Sequence, residues 1–257
     1  MGSSYFYLEY LLTWLSVMSQ FGYRNPAIFA LDYTLVPNAA FPTQVDETLQ
    51  GYKHVLALAQ DPSVVCVSGD SAGATLILCL LLRLGRSRAD ARGEEHRIPK
   101  PALAVLISPW PTLISTRHVN TASDYLDVRQ LHQYARQFAG SGISVTDPSV
   151  SPGCCTDAAW WKRSSPSRGM VVTYGNEELL ASDIEGLVSA LRKAGVDVES
   201  KGEAGGIHAW PVASLFLSSS REGRLEGLRA MTSAIRQRVP GGHVKPGDGQ
   251  DGGASSD

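Results

Sequence analysis

The sequence contains no run of lysine and arginine residues, and its charges nearly cancel, since 23 basic residues stand against 25 acidic ones. Nucleic acids and anionic membranes bind proteins through clustered positive charge. The sequence also lacks a long apolar run: the stretch from Tyr5 to Met18 contains Glu9 and is too short to span a bilayer. We therefore expect neither a nucleic-acid partner nor a membrane span in this chain.

Cysteine is scarce, with four residues at positions 66, 79, 154 and 155. Cys154 and Cys155 are adjacent, so an ordinary disulfide between them would be strained. No CxxC pair or Cys/His cluster has the spacing of a zinc site. The sequence thus predicts reduced thiols, which favour a cytoplasmic location, and it implies no metal and no organic cofactor.

What the chain does contain is enough apolar residues, 43% of 257, to bury the core of one large domain. Short apolar runs alternate with helical patterns, which predicts a doubly wound, mostly parallel α/β sheet. The predicted strands are Ala27–Leu31, Val64–Ser68, Ala102–Ile107, Met170–Tyr174 and Val196–Ser200. The predicted helices after the first are Asp46–Gln60, Ala72–Leu84, Asp183–Lys193 and Glu222–Arg238.

Two regions depart from this alternation. Residues 109–169 lose it, and we expect a helical insertion there, over one end of the sheet, with its clearest helix from Asp124 to Phe138. Residues 241–257 contain six glycines and no aromatic residue, which predicts a disordered tail. The expected organisation is one α/β domain over residues 1–240, followed by that tail.

An amphipathic helix is predicted at the N-terminus. Its apolar residues recur at three- and four-residue steps, so we expect them to face the core. They are Tyr5, Leu8, Leu12, Leu15 and Met18.

The pentapeptide Gly69-Asp70-Ser71-Ala72-Gly73 matches the pattern G-x-S-x-G. The pattern alone is weak, but its mechanism requires a buried strand before it and a helix after it, and Val64–Ser68 and Ala72–Leu84 supply both. Ser71 would then project its hydroxyl from the carboxyl edge of the sheet. The alternative is a glycine-rich turn in which Ser71 only caps a helix.

A serine hydroxyl needs a base, and on this fold the order along the chain is serine, acid, histidine. Of six histidines, His208 alone follows the final predicted strand without lying in the tail. The acid should follow the strand that ends at Tyr174. There Glu177 is our first choice, Glu178 the second and Asp183 a distant third.

These motifs resemble the hormone-sensitive-lipase-like branch of the α/β-hydrolase superfamily. GDSAG is the usual form of the motif in that branch, and Ser108-Pro109-Trp110 resembles its S-P-W. Asp32-Tyr-Thr-Leu-Val-Pro37 followed by Phe41-Pro42 resembles D-Y-R-L-A-P-E…F-P, and Gly175–Leu179 resembles the acid turn. The segment Gly206-Ile-His-Ala-Trp-Pro211 is most similar to fungal steryl-acetyl-hydrolase-like members.

The resemblance runs from about residue 2 to residue 239. It implies a carboxylic-ester hydrolase that works through an acyl-enzyme, with Ser71 as nucleophile, Glu177 as acid and His208 as base. Asp70, beside the nucleophile, and Trp110 and Trp210 are candidate substrate-binding residues, although tryptophans more often belong to a core.

The sequence also departs from this branch, in which an H-G-G-G segment precedes the G-S aligned with Gly2-Ser3. That segment supplies most of the oxyanion hole, and here Ala72 N–H is the one predictable donor. In that branch, the strand that carries the H-G-G-G segment would lie between the strands predicted here at Ala27–Leu31 and Val64–Ser68. We therefore expect a fragment of a longer enzyme, whose sheet lacks the first strands.

The predicted function is hydrolysis of esters with a small or medium acyl group and an apolar character. The missing oxyanion segment motivates the alternative, a catalytically impaired ligand-binding or interaction protein on the same fold. A peptidase of the superfamily fits less well, because such enzymes usually carry a large extra domain. The sequence does not indicate an oligomeric state.

Overall fold

A parallel sheet of four strands is the centre of the computed structural model, which describes residues 4–86 and 98–241. In the sheet the strands lie in chain order, and every neighbouring pair is parallel. They confirm four of the five predicted strands. They are β1 (Cys66–Asp70), β2 (Leu103–Ile107), β3 (Met170–Gly175) and β4 (Val198–Glu203).

Helices cover both faces of the sheet, as the alternating pattern predicted. β2 divides its side chains between them: Ala104 and Leu106 join one apolar cluster, whereas Leu103, Val105 and Ile107 join the other. The helices are α1 (Ser4–Gln20), α2 (Thr43–Ala59), α3 (Ala72–Leu84), α4 (Val128–Ala139), α5 (Ala158–Ser164), α6 (Ala181–Lys193), α7 (Trp210–Leu217) and α8 (Arg221–Arg238).

The first apolar cluster packs α3, α4, α5 and α6 against the sheet, and the second packs α1, α7 and α8. Because a parallel sheet is covered on both sides, every residue of β2 and β3 is buried, and β2 is apolar along its whole length. No helix within the described ranges is long and apolar enough to cross a membrane.

The prediction of a strand at Ala27–Leu31 is wrong. The segment has no ladder partner among the described residues, and Phe29 is 48% exposed. The segment runs beside α2. Shortly after it, Thr34 donates from its amide and its hydroxyl to Glu47 of α2 at 2.8 and 2.6 Å. A strand requires a hydrogen-bonded neighbour, and on the outer side of β1 the described part of the chain offers none.

The helix α1 is confirmed, and Met18 of its predicted core-facing stripe packs against the second cluster, but the first three residues of that stripe are wrong. Tyr5, Leu8 and Leu12 are exposed, and the opposite face, with Trp14 and Val17 at its centre, is buried. Both faces of the helix carry apolar residues, so the periodicity alone could not select the buried one.

The insertion over residues 109–169 has the predicted helical content, in α4 and the short α5. Its helix α4 begins later than expected, at Val128, because the side chain of Asp127 caps it by accepting from the amide of Gln130. The predicted tail, apart from residue 241, lies outside the described residues, as does Gly2-Ser3.

Candidate active site

Ser71 lies on the turn between β1 and α3, with a backbone conformation that an L-residue rarely adopts (φ 52°, ψ −120°). A Cβ at Gly69 would lie 2.5 Å from the backbone of Gly73, so glycine is required where the helix crosses the strand end. The amide of Ser71 donates to the carbonyl of Ile107 at 2.9 Å. The turn therefore holds Ser71 in a strained geometry at the carboxyl edge of the sheet.

Ala72, the predicted oxyanion donor, is the first residue of α3. Amides in the first turn of a helix have no intrahelical acceptor, and the helix dipole makes this end positive. The Ala72 amide is thus suited to bind a developing negative charge next to Ser71.

His208 lies in the loop between β4 and α7 and is 2% exposed. Its Nδ1 is 3.6 Å from Oε1 of Glu178, a charge contact that is longer than a hydrogen bond. Its backbone amide donates to Asp124 at 3.2 Å, and its carbonyl accepts from the Tyr125 hydroxyl at 3.3 Å. The aromatic ring of Tyr125 also meets the imidazole edge to face, with centroids 5.8 Å apart.

The structure contradicts the choice of Glu177 as the acid. Glu177 is exposed, whereas Glu178 is 3% exposed and lies beside His208. The amide of Glu178 donates to the carbonyl of Gly175 at 3.3 Å, and this tight turn directs the Glu178 side chain back over the end of β3. Our second choice is therefore the residue that the fold brings to the histidine.

Ser108 completes this arrangement, and the sequence analysis did not select it as a site residue. Its buried hydroxyl donates to Oε2 of Glu178 at 2.5 Å and accepts from the amide of Ala209 at 2.9 Å. Glu178 also accepts from the amide of Gly175 at 3.0 Å. The signal was present, because Ser108 begins the S-P-W segment directly after β2.

The carboxyl ends of β1, β2 and β3 thus bring Ser71, Ser108 and Glu178 to one edge of the sheet, together with His208. No hydrogen bond joins the Ser71 hydroxyl to His208 within the described part of the chain. In free hydrolases such contacts are often long and shorten only when substrate binds. The geometry accordingly places the predicted serine and histidine at one edge without joining them.

Asp70 connects α1 to this edge. Its Oδ2 accepts from the Tyr7 hydroxyl at 2.7 Å. Burial raises the pKa of Asp70, and the Tyr7 hydrogen bond and the charge of His208 act in the opposite direction. His208 is therefore within electrostatic range of the residue that precedes Ser71. Asp70 faces the predicted site, but one of its oxygens is already occupied.

Trp110 and Trp210, the other candidate substrate-binding residues, are 5% and 6% exposed, and Trp110 belongs to the first apolar cluster. Trp210 donates its indole N–H to the Thr173 hydroxyl at 3.0 Å. The structure places both tryptophans in the core, because their rings fill space between helices and sheet. Among the described residues, no three His, Cys, Asp or Glu side chains are grouped to hold a metal ion.

Comparison with known proteins agrees with this fold. A family model described as "alpha/beta hydrolase fold" matches residues 23–212. An acetyl-hydrolase of Streptomyces hygroscopicus is 28% identical over 195 residues, which are 72% of this chain and 57% of that protein. The esterase LipU of Mycobacterium tuberculosis is 27% identical over 230 residues, 84% of this chain and 68% of LipU. The chain thus spans 57% to 68% of the length of these two relatives.

Solved structures agree as well. A hormone-sensitive lipase from a metagenome library matches with a TM-score of 0.65 and 26% identity. The match covers 81% of this chain and 66% of the lipase chain. An esterase from the bacterial hormone-sensitive lipase family matches with a TM-score of 0.66 and 27% identity. The match covers 81% of this chain and 65% of the esterase chain.

Proposed function

The chain belongs to the α/β-hydrolase fold family, in its hormone-sensitive-lipase-like branch, and from this premise we propose that it hydrolyses carboxylic esters through an acyl-enzyme. The observation that carries the proposal is the contact between His208 and Glu178 at the edge of the sheet where Ser71 occupies a strained turn. The names of the relatives, an acetyl-hydrolase and an esterase, support small or medium acyl groups as substrates.

In the proposed reaction the Ser71 hydroxyl attacks the ester carbonyl carbon while His208 accepts its proton through Nε2. Glu178, on the Nδ1 side, holds the imidazole in the required tautomer and stabilises its cationic form. The carbonyl oxygen becomes negative and accepts from the Ala72 amide. The protonated His208 then gives its proton to the departing alkoxide, which leaves an acyl group on Ser71.

Water completes the cycle by the same steps. His208 removes a proton from a water molecule as its oxygen attacks the acyl carbon, and the proton then passes to the Ser71 oxygen as the acid leaves. Ser108 supports both half-reactions, since its hydroxyl bridges the Glu178 carboxylate and the amide next to His208.

Hydrolysis of p-nitrophenyl acetate, butyrate and octanoate tests the proposal. We expect wild-type activity on the shorter esters and a fall in kcat of about 10⁴-fold or more in Ser71→Ala. Ser214→Ala is the matched control, because this hydroxyl only contacts a carbonyl of its own helix. Equal rates in Ser71→Ala and the wild type would contradict the proposal.

A ligand-binding protein on the same fold is the second candidate, favoured by two observations. The Ser71 hydroxyl makes no hydrogen bond to His208 in the described ranges, and 3.6 Å separates His208 from Glu178. Under this candidate the protein would bind a short ester at equilibrium while a pH-stat detects no release of acid. Turnover that depends on Ser71 would exclude it.

A further inference from the structure

One carboxylate in the insertion contacts both loops that carry the proposed acid and base. Oδ2 of Asp124 accepts from the amide of Leu179, the residue after Glu178, at 2.8 Å. Oδ1 of the same side chain accepts from the amide of His208 at 3.2 Å. Oδ1 also accepts from the amide of the next residue, Tyr125, at 2.9 Å. Each oxygen therefore contacts a different loop, and Asp124 spans the gap between them.

Asp124 is itself held in place by its neighbours. Its amide donates to the hydroxyl of Thr121 at 3.1 Å, and that hydroxyl donates to the carbonyl of Glu177 at 3.0 Å. The next residue, Tyr125, donates its hydroxyl to the carbonyl of His208 at 3.3 Å. Consecutive residues of the insertion therefore bind His208 through both its backbone amide and its backbone carbonyl.

We propose that Asp124 is a positioning residue that sets the separation and orientation of Glu178 and His208. This inference rests on the proposed function. The Asp124 carboxylate accepts from backbone amides, so its effect is on where the two loops lie rather than on the reacting atoms.

Two other contacts also join the loops. The amide of Glu177 donates to the carbonyl of Gly206 at 3.0 Å, and Ser108 bridges Glu178 and Ala209. Loss of Asp124 should therefore loosen the arrangement without destroying it. A displacement of about 1 Å at a reacting group can lower a rate by about 10²-fold.

The experiment compares Asp124→Asn with Asp127→Asn in the ester assay. Asparagine offers one acceptor and one amide group, so at position 124 its N–H2 would face a backbone N–H. Asp127 is the matched control, since it lies in the same segment and is exposed, and its carboxylate caps α4. We expect kcat of Asp124→Asn to fall about 10- to 100-fold, with KM within about twofold and Asp127→Asn near wild type.

Rescue by a conservative variant separates positioning from a loss of folded protein. Asp124→Glu keeps a carboxylate at this position and should restore part of kcat. If Asp124→Asn is poorly folded, Tyr125→Phe serves as the second variant. It removes only the hydrogen bond to the His208 carbonyl, and it should lower kcat less strongly than the 10- to 100-fold expected for Asp124→Asn, again at constant KM.

The inference is overturned if Asp124→Asn keeps the wild-type kcat while Ser71→Ala is inactive. In that case the proposed function stands and only the role of Asp124 fails. If instead Ser71→Ala is as active as the wild type, the proposed function itself fails. The Ser71 control therefore distinguishes the two failures.

Discussion

Two adjacent glutamates in the turn after β3 have opposite environments. Glu178 is buried and accepts from the hydroxyl of Ser108 and the amide of Gly175, whereas Glu177 projects into solvent. The sequence predicted an acid in the turn after β3, because the order of elements determines that position, and the structure has a buried carboxylate there beside His208. The sequence could not decide between Glu177 and Glu178. If the turn closed one residue earlier or later, the buried side chain would become the exposed one.

Exchange of each glutamate for glutamine tests this assignment. Glu178→Gln should lower kcat for p-nitrophenyl butyrate by about 10²- to 10⁴-fold, because an amide can neither stabilise the imidazolium nor select its tautomer. Glu177→Gln is the control and should remain within about twofold of the wild type. The reverse ranking of the two variants would restore Glu177 as the acid.

At the scale of single elements, local signals predicted helix ends better than helix faces. α3 has its predicted bounds, because the strained turn at Ser71 begins it and Gly85 follows its end. In α1, by contrast, both faces carry apolar residues. The buried face includes Trp14, whose indole N–H donates to the hydroxyl of Thr232 on α8 at 3.1 Å. That distant partner, 218 residues away, has no local signature.

Alanine substitutions on the two faces of α1 should have unequal effects on stability. Trp14→Ala leaves a cavity and removes the indole N–H from the Thr232 hydroxyl, and should lower the free energy of unfolding by about 3–5 kcal/mol. Leu12 is 57% exposed, so Leu12→Ala should change that free energy by no more than about 0.5 kcal/mol. Urea denaturation measures both, and a larger loss for Leu12→Ala would contradict the observed orientation.

A chain of polar contacts joins α4 to α6. Nε2 of His132 lies 3.1 Å from Nδ1 of His118, whose Nε2 is 2.9 Å from Oδ2 of Asp183. Burial, the neighbouring His118 and Arg136 all lower the pKa of His132. Burial alone would raise the pKa of Asp183, but hydrogen bonds from His118 and from Ser115, with the charge of Arg117, together hold it below its usual range.

The lowered pKa of His132 predicts a loss of stability in mild acid. The unfolded chain binds a proton at this position more readily than the folded one, so stability is present above about pH 6.5 and decreases as the pH falls below that value. Calorimetry at pH 7 and pH 5 should show a smaller decrease in Tm for His132→Gln than for the wild type. His54→Gln, at an exposed position, should keep the wild-type decrease, and an unchanged decrease in His132→Gln would oppose this account.

At the scale of the whole molecule, the alternating pattern predicted the class of fold and four strands in their sheet. It failed at Ala27–Leu31, where an apolar run of the right length has no neighbour to pair with among the described residues. Strand formation depends on a partner elsewhere in the chain, and composition does not reveal whether that partner is present. The site depends on the same long-range order, because its residues follow three different strands and the histidine loop.

The central claim is that Ser71 is a nucleophile activated by His208 and Glu178, and covalent labelling tests it most directly. A fluorophosphonate reacts with an activated serine, and peptide mass spectrometry then locates the adduct. We expect one phosphonyl group per chain on the peptide that contains Ser71, no adduct in Ser71→Ala, and much slower labelling in Glu178→Gln. A folded wild-type protein that stays unlabelled at Ser71, or a Ser71→Ala variant labelled as fast as the wild type, would contradict the claim.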